Sequence, residues 1–242
     1  MTVFLWGIVP YLCLATFIVG HIWRYRYDKF GWTTRSSQLY ESKLLRIGSP
    51  LFHFGMLFAV GGHVVGLLIP RSWTDAIGIS TGMYHTMAVS LGLVAGVMLS
   101  IGIIILIYRR RTVGPVFSAT TPMDKVMYFF LAGVIALGMW NTIAGSIFAV
   151  GGHYDYRGAG NVSEWYRSFL AFQPKPEYMA NATIGFQLHA FFACILFALW
   201  PFTRLVHVFS APVGYLTRPY IVYRSRDAQM GHGERRGWER VG

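Results

Sequence analysis

The stretch that decides the fold is Arg46–Pro70, RIGSPLFHFGMLFAVGGHVVGLLIP. From Leu51 to Ile69 it contains no Lys, Arg, Asp or Glu. A run of about 20 apolar residues is what an α-helix needs to cross about 30 Å of hydrocarbon. Inside it stand two imidazoles, His53 and His63, with Gly55, Gly61 and Gly62 around them. Four further runs of the same kind are Val3–Trp23, Tyr84–Ile107, Val126–Ala149 and Ile184–Phe202. The last is expected to continue as helix to about His207. The chain therefore reads as an all-α membrane protein, a single domain over residues 1–242 built on five transmembrane helices. Residues 220–242 form a polar tail. The longest connection, Gly151–Asn181, is too short and polar to make a core of its own.

Composition agrees. Hydrophobic residues make up 54% of the 242 and charged residues 13%, about half the charge of an ordinary soluble domain. Mean hydropathy is +0.44. A soluble globular enzyme is excluded on this count, and a disordered chain is excluded by the 17% of aromatics. The net charge of +11 does not point to nucleic acid, because the basic residues lie between the apolar runs and so mark membrane topology. Arg24, Arg26, Lys29, Arg35, Lys43 and Arg46 follow the first run, Arg109, Arg110, Arg111 and Lys125 follow the third, and seven arginines lie from Arg204 onward. Seventeen of the 21 basic residues thus fall on one side. The N-terminus is expected outside and the C-terminus in the cytoplasm, with the first run retained rather than cleaved as a signal. The two cysteines, Cys13 and Cys194, sit in apolar runs and make no metal or disulfide pattern.

A histidine within a membrane span is costly and is by default a functional residue. Four stand in or at the end of two runs: His53 and His63 on the second, His189 and His207 on the fifth. None of the five runs contains an acidic residue, so a carboxylate proton relay is disfavoured and the imidazoles are expected to be neutral, with a nitrogen available for metal. The second and fifth helices are antiparallel, so depth pairs His63 with His189 and His53 with His207. A b-type haem held between two helices takes one axial imidazole from each. The spacings do not match evenly: at 1.5 Å per residue the second-run pair spans about 15 Å and the fifth-run pair about 27 Å. Tilt, side-chain reach or irregular helix ends must absorb the difference. The alternative is that these histidines serve packing. A zinc or di-iron site lacks the cysteines and the Glu-x-x-His pattern it needs. The glycines admit two readings, close approach of a porphyrin or ordinary small-residue helix packing.

The sequence also resembles a known family, the gamma subunit of respiratory nitrate reductase, a membrane cytochrome b. The resemblance is carried by Arg46–Pro70, by YRRRTVGPVFSATTPMDK at Tyr108–Lys125, and by FQLHAFFACILFALWPFTRLVHVFSAPVGYLTRPY at Phe186–Tyr220. It covers most of the chain. It implies a five-helix bundle with two b haems, the outer ligated by His63 and His189 and the inner by His53 and His207. It implies that quinol (menaquinol or ubiquinol) is oxidised beside His63 and Gly62, with protons released outside. Electrons would pass to an iron–sulfur beta subunit, and a molybdenum-containing alpha subunit would reduce nitrate. The location implied is the inner membrane of a prokaryote. Family members carry a lysine at the outer start of the third helix, whereas this chain has Tyr84 and His85 there. Either could serve the quinol, His85 as a proton acceptor, or both could be an interfacial anchor pair.

Arg109–Arg111 and Arg204 fit lipid-facing anchors of the positive side, and Arg204 could alternatively reach the inner haem as a cofactor-binding residue. His21 reads as interfacial, and His153 and His232 have no evident partner. Two rivals stand beside the resemblance. One is a related cytochrome b serving a sulfite-reduction or heterodisulfide-reductase type of complex. The other is a non-redox membrane scaffold with structural histidines.

Overall fold

The computed structural model describes residues 1–28, 30–32, 36–150, 153–210 and 217. Among these there is no β-strand, and five helices are long and apolar enough to cross a membrane: Phe4–Tyr27, Lys43–Leu68, Thr81–Thr112, Pro122–Ile147 and Ile184–Phe202. They are spans one to five below. Residues 1–210 form one compact unit. The expected polar tail, 220–242, with His232, lies outside the described residues.

Span two packs along span three, span three on span four, span four on span five, and span five on span one. Span two meets span three so closely that a Cβ on Gly55 would lie 2.9 Å from the Ala95 carbonyl oxygen, and one on Gly102 would lie 2.6 Å from the Phe52 nitrogen. Gly55 is therefore a packing glycine. The central core joins Leu99 and Ile103 of span three, Met127, Leu131 and Ile135 of span four, and Leu196 of span five. At most 22% of any span's most apolar window is buried in the bundle. The outward faces carry residues such as Phe54, Phe58, Leu91 and Ile104, which suits a surface solvated by lipid.

Two faces are distinguished by what closes them. At the N-terminal face, where span one begins, the connection between spans four and five forms helices Val162–Leu170 and Pro176–Ala180. Val162, Trp165 and Phe169 recur on one side of the first of these. Val162, Trp165, Met179 and Ala182 make a second core with Trp6 of span one, and the Trp165 indole donates to the Trp6 carbonyl at 2.9 Å. Short and polar as it is, the connection obtains a core by borrowing apolar surface from spans one and five. Arg167 and Arg157 donate to the carbonyls of Leu67 and Ile69 at 3.1 Å each, so the end of span two is capped by side chains from this connection.

The opposite face is rich in arginine. Arg109, 2% exposed, donates to the Glu41 carboxylate at 2.6 Å and to Ser37 and the Glu41 carbonyl. Arg110 donates to Tyr128 and Thr120. These two are not lipid anchors: they hold the segments joining spans one to two and three to four. Hydrogen bonds from the Leu44 amide and the Arg109 guanidinium outweigh desolvation and hold the Glu41 carboxyl below its ordinary pKa.

Span five departs from expectation. Its regular α-helix ends at Leu199, and His207 does not ride on its continuation. A tight turn, Trp200–Phe202, gives way to extended Thr203, and a separate 3₁₀ segment runs Arg204–Val208. Pro201 has no amide hydrogen to give to the helix and clashes with the turn before it. This break supplies the irregular helix end that the unequal histidine spacings demand.

Candidate haem-binding pairs

The four histidines on and just beyond spans two and five come together two by two. His63 and His189 have ring centres 5.9 Å apart with planes at 16°. His53 and His207 have ring centres 5.9 Å apart with planes at 71°. A metal–imidazole bond is about 2.0–2.1 Å, so two imidazoles trans on one ion stand with ring centres about 6 Å apart.

Every one of the four rings is tied through Nδ1 to a backbone carbonyl: His53 to Ser49 at 2.7 Å, His63 to Ala59 at 2.7 Å, His189 to Val134 at 3.1 Å and His207 to Arg204 at 2.7 Å. A carbonyl only accepts, so Nδ1 carries the hydrogen and Nε2 keeps its lone pair. This is the arrangement that orients metal-binding histidines.

The surroundings leave room. Spans two and five, which carry the rings, are not closely packed on each other. A Cβ on Gly61 or Gly62 would meet nothing within 4 Å, whereas one on Gly138 of span four would come within 3.2 Å of the His189 ring. Gly61 and Gly62 therefore border open space, unlike Gly55. Two imidazoles at each of two depths make donor sets of the kind that hold b-type haem, with open space beside the His63–His189 pair.

The N-terminal face closes over the first pair. The hydroxyls of Tyr84 and Tyr156 are 2.8 Å apart, and both crowd Gly66, where a Cβ would lie 3.0 and 2.9 Å from them. Gly66 is one helical turn from His63. Tyr156 stacks at 5.9 Å on Phe186, one turn from His189. Burial, then the Tyr84 hydrogen bond, raise the pKa of the Tyr156 hydroxyl well above its ordinary value, so it keeps its proton. The Arg157 guanidinium lies 3.9 Å over the Tyr84 ring. His85, exposed, faces His153 with ring centres 6.5 Å apart.

The sequence model of the nitrate reductase gamma subunit matches residues 2–226. The chain belongs to that family. The nitrate reductase gamma chain of Bacillus subtilis is 45% identical over 222 residues, covering 92% of this chain and 97% of the relative. The respiratory nitrate reductase 2 gamma chain of Escherichia coli is 35% identical over 227 residues, 93% of this chain and 98% of the relative. The nitrate reductase-like protein NarX of Mycobacterium tuberculosis is 56% identical over 234 residues, 96% of this chain but 35% of the relative. The chain thus spans about a third of the mycobacterial protein and nearly all of each gamma chain.

Within this gamma-family bundle, the sequence-predicted residues divide by place. His63, His189, Gly62, Tyr84 and His85 lie toward the N-terminal face, and His53, His207 and Arg204 toward the arginine-rich face. Arg204 is neither a lipid anchor nor directed to solvent: it makes a two-pronged ion pair with Asp124, Nε to Oδ1 at 2.7 Å and Nη2 to Oδ2 at 2.9 Å. His21 packs among Phe17, Trp32 and Phe209, an aromatic setting rather than a bare interface.

Three residues at these sites escaped sequence reasoning. Asp124 had a readable signal, since Thr121-Pro122-Met123-Asp124 is a helix start and the structure forms the reciprocal cap there. Tyr156 and Arg157 had none, because a polar connection shows no periodicity and its placement over spans two and three is purely tertiary.

Proposed function

We propose that this gamma-family chain is the dihaem cytochrome b subunit of a respiratory nitrate reductase and oxidises quinol at its N-terminal face. The observation that carries the reading is the pairing of these four histidines, each with its Nδ1–H donating to a backbone carbonyl. His63 and His189 would hold one b haem and His53 and His207 the other. Two such groups supply one-electron chemistry at two depths between the faces.

The chain's own residues do the rest. The carbonyls of Ala59, Val134, Ser49 and Arg204 fix the imidazole tautomers. Gly62 leaves space beside His63 for the quinol ring. Tyr84, braced by Tyr156 and Arg157, orients a quinol hydroxyl. His85 takes its proton and is adjacent to His153, which is exposed on the same face. This face is the membrane exterior by the positive-inside distribution of Lys and Arg, so the protons leave there. The electrons leave at the arginine-rich face to an iron–sulfur beta subunit, and a molybdenum-containing alpha subunit reduces nitrate. Separating the two products across the bilayer makes the step electrogenic, at about 2.3 kcal/mol per charge per 100 mV. The setting is the inner membrane of a prokaryote.

The test is a haem-to-protein ratio by pyridine haemochrome on the complex that contains this chain. Two b haems per chain are expected. A complex that kept its other cofactors but contained no b haem would overturn the reading.

A further inference from the structure

His189 of span five and His207 of the segment after it are both held from span four, but by different means. His189 donates directly to the Val134 carbonyl. His207 sits beyond the Pro201–Thr203 break, where no continuous helix fixes its position. Its Nδ1 donates to the carbonyl of Arg204, and the Arg204 side chain is clamped to Asp124 by two hydrogen bonds. Arg204 Nη2 also donates to the Ala119 carbonyl at 3.1 Å. Asp124 is itself immobilised: it is 3% exposed, and its Oδ2 accepts the Thr121 amide at 2.9 Å in the helix cap. One short chain of bonds thus runs from the start of span four to the imidazole: Asp124 carboxylate, Arg204 guanidinium, Arg204 carbonyl, His207 Nδ1.

Other hydrogen bonds of the same segment run within its own turns and to the end of span one, and Leu205 packs on the central core. Thr203 bonds the Trp200 carbonyl and the Leu205 amide, the Trp200 indole donates to the Leu205 carbonyl, and Arg24 donates to the Pro201 carbonyl. None of these touches the His207 ring.

We propose that Asp124 and Arg204 are positioning residues for the His207 ligand and that their ion pair sets the potential of the haem it holds. The inference rests on the haem reading above. It has an electrostatic signature that simple loosening lacks. A ferrous haem carries one positive charge fewer than a ferric one, so nearby cations favour the reduced form and nearby anions the oxidised form. Neutralising Asp124 takes one negative charge from beside His207, and neutralising Arg204 takes one positive charge from the same place.

The experiment is a potentiometric titration of the b-haem α-band in the assembled complex, with the His207-held component identified by its loss in His207→Ala. Asp124→Asn is expected to raise the midpoint of that component and Arg204→Gln to lower it, with the other component unmoved. Asp124→Glu is expected to restore the original midpoint. If Asp124→Asn costs that haem altogether, retention of the other haem and recovery of both in Asp124→Glu supports the inference. Unchanged midpoints in both variants, shifts of the same sign, or joint loss of both haems in Asp124→Asn would overturn it. Retention of both haems in His207→Ala would instead sink the ligand assignment itself.

Discussion

The two histidine pairs have the same ring spacing and opposite construction. His63, where the α-helix of span two passes into a wider π-helical turn, and His189, within the α-helix of span five, are nearly parallel at 16°, under a lid of tyrosine, arginine and phenylalanine from three chain segments. His53 and His207 are nearly crossed at 71°, and His207 reaches its place on a short segment after a proline break, tied back by an ion pair. The first pair is positioned by helix geometry, and what is added above it is chemistry for a substrate. In the second, His207 donates to the carbonyl of a residue whose side chain is held by an ion pair. On the proposed reading one end is a reaction site and the other an exit for electrons.

The largest effects should separate the pairs most cleanly. His63→Ala is expected to remove one haem and bring quinol-driven turnover to background. His53→Ala is expected to remove the other haem while leaving the remaining haem reducible by quinol. Reduced-minus-oxidised spectra with quinol as donor check both, and a His63→Ala variant retaining two haems would break the comparison. An intermediate effect is expected from Gly138→Val, which puts a branched side chain where even a Cβ lies 3.2 Å from the His189 ring. By analogy with outer-shell changes at metal sites, occupancy at that pair should weaken about 10- to 100-fold. Haem content on dilution reads this, and equal loss from both pairs would contradict the assignment of Gly138 to one.

The smallest effect tests the lid. Tyr156→Phe leaves the Tyr84 hydroxyl without its partner, worth about 1 kcal/mol, or roughly five-fold in quinol-driven turnover. Both haems should stay with unchanged spectra. Full turnover in that variant would remove Tyr156 from the lid's function and leave it as packing.

Much of this was legible in the chain. Apolar runs the length of a bilayer specify spans without tertiary knowledge, and alternating direction sorts His53, His63, His189 and His207 by depth. The break in span five was also written, as Pro201 within Leu199–Thr203, but an apolar run masks it when hydropathy alone is read. Arg204 was visible as a cation and not as a partner, because its carboxylate lies 80 residues away. The lid was hidden for the same reason: Tyr156 and Arg157 acquire meaning only when the connection docks on Leu67 and Ile69. Glycine split as local sequence could not foretell, with Gly55 in backbone contact and Gly62 beside open space.

The loose facing of spans two and five has a consequence for biogenesis. Spans two and five meet each other little directly; they are joined through the core that spans three and four share, and through Val162–Leu170 on the end of span two. On the proposed reading, haems held between spans two and five would join them, and a ligand that binds only the folded form stabilises it in proportion to the logarithm of its free concentration. On that reading, haem supply would govern how long the newly inserted subunit survives membrane proteases, and its abundance would track porphyrin synthesis as well as its own expression.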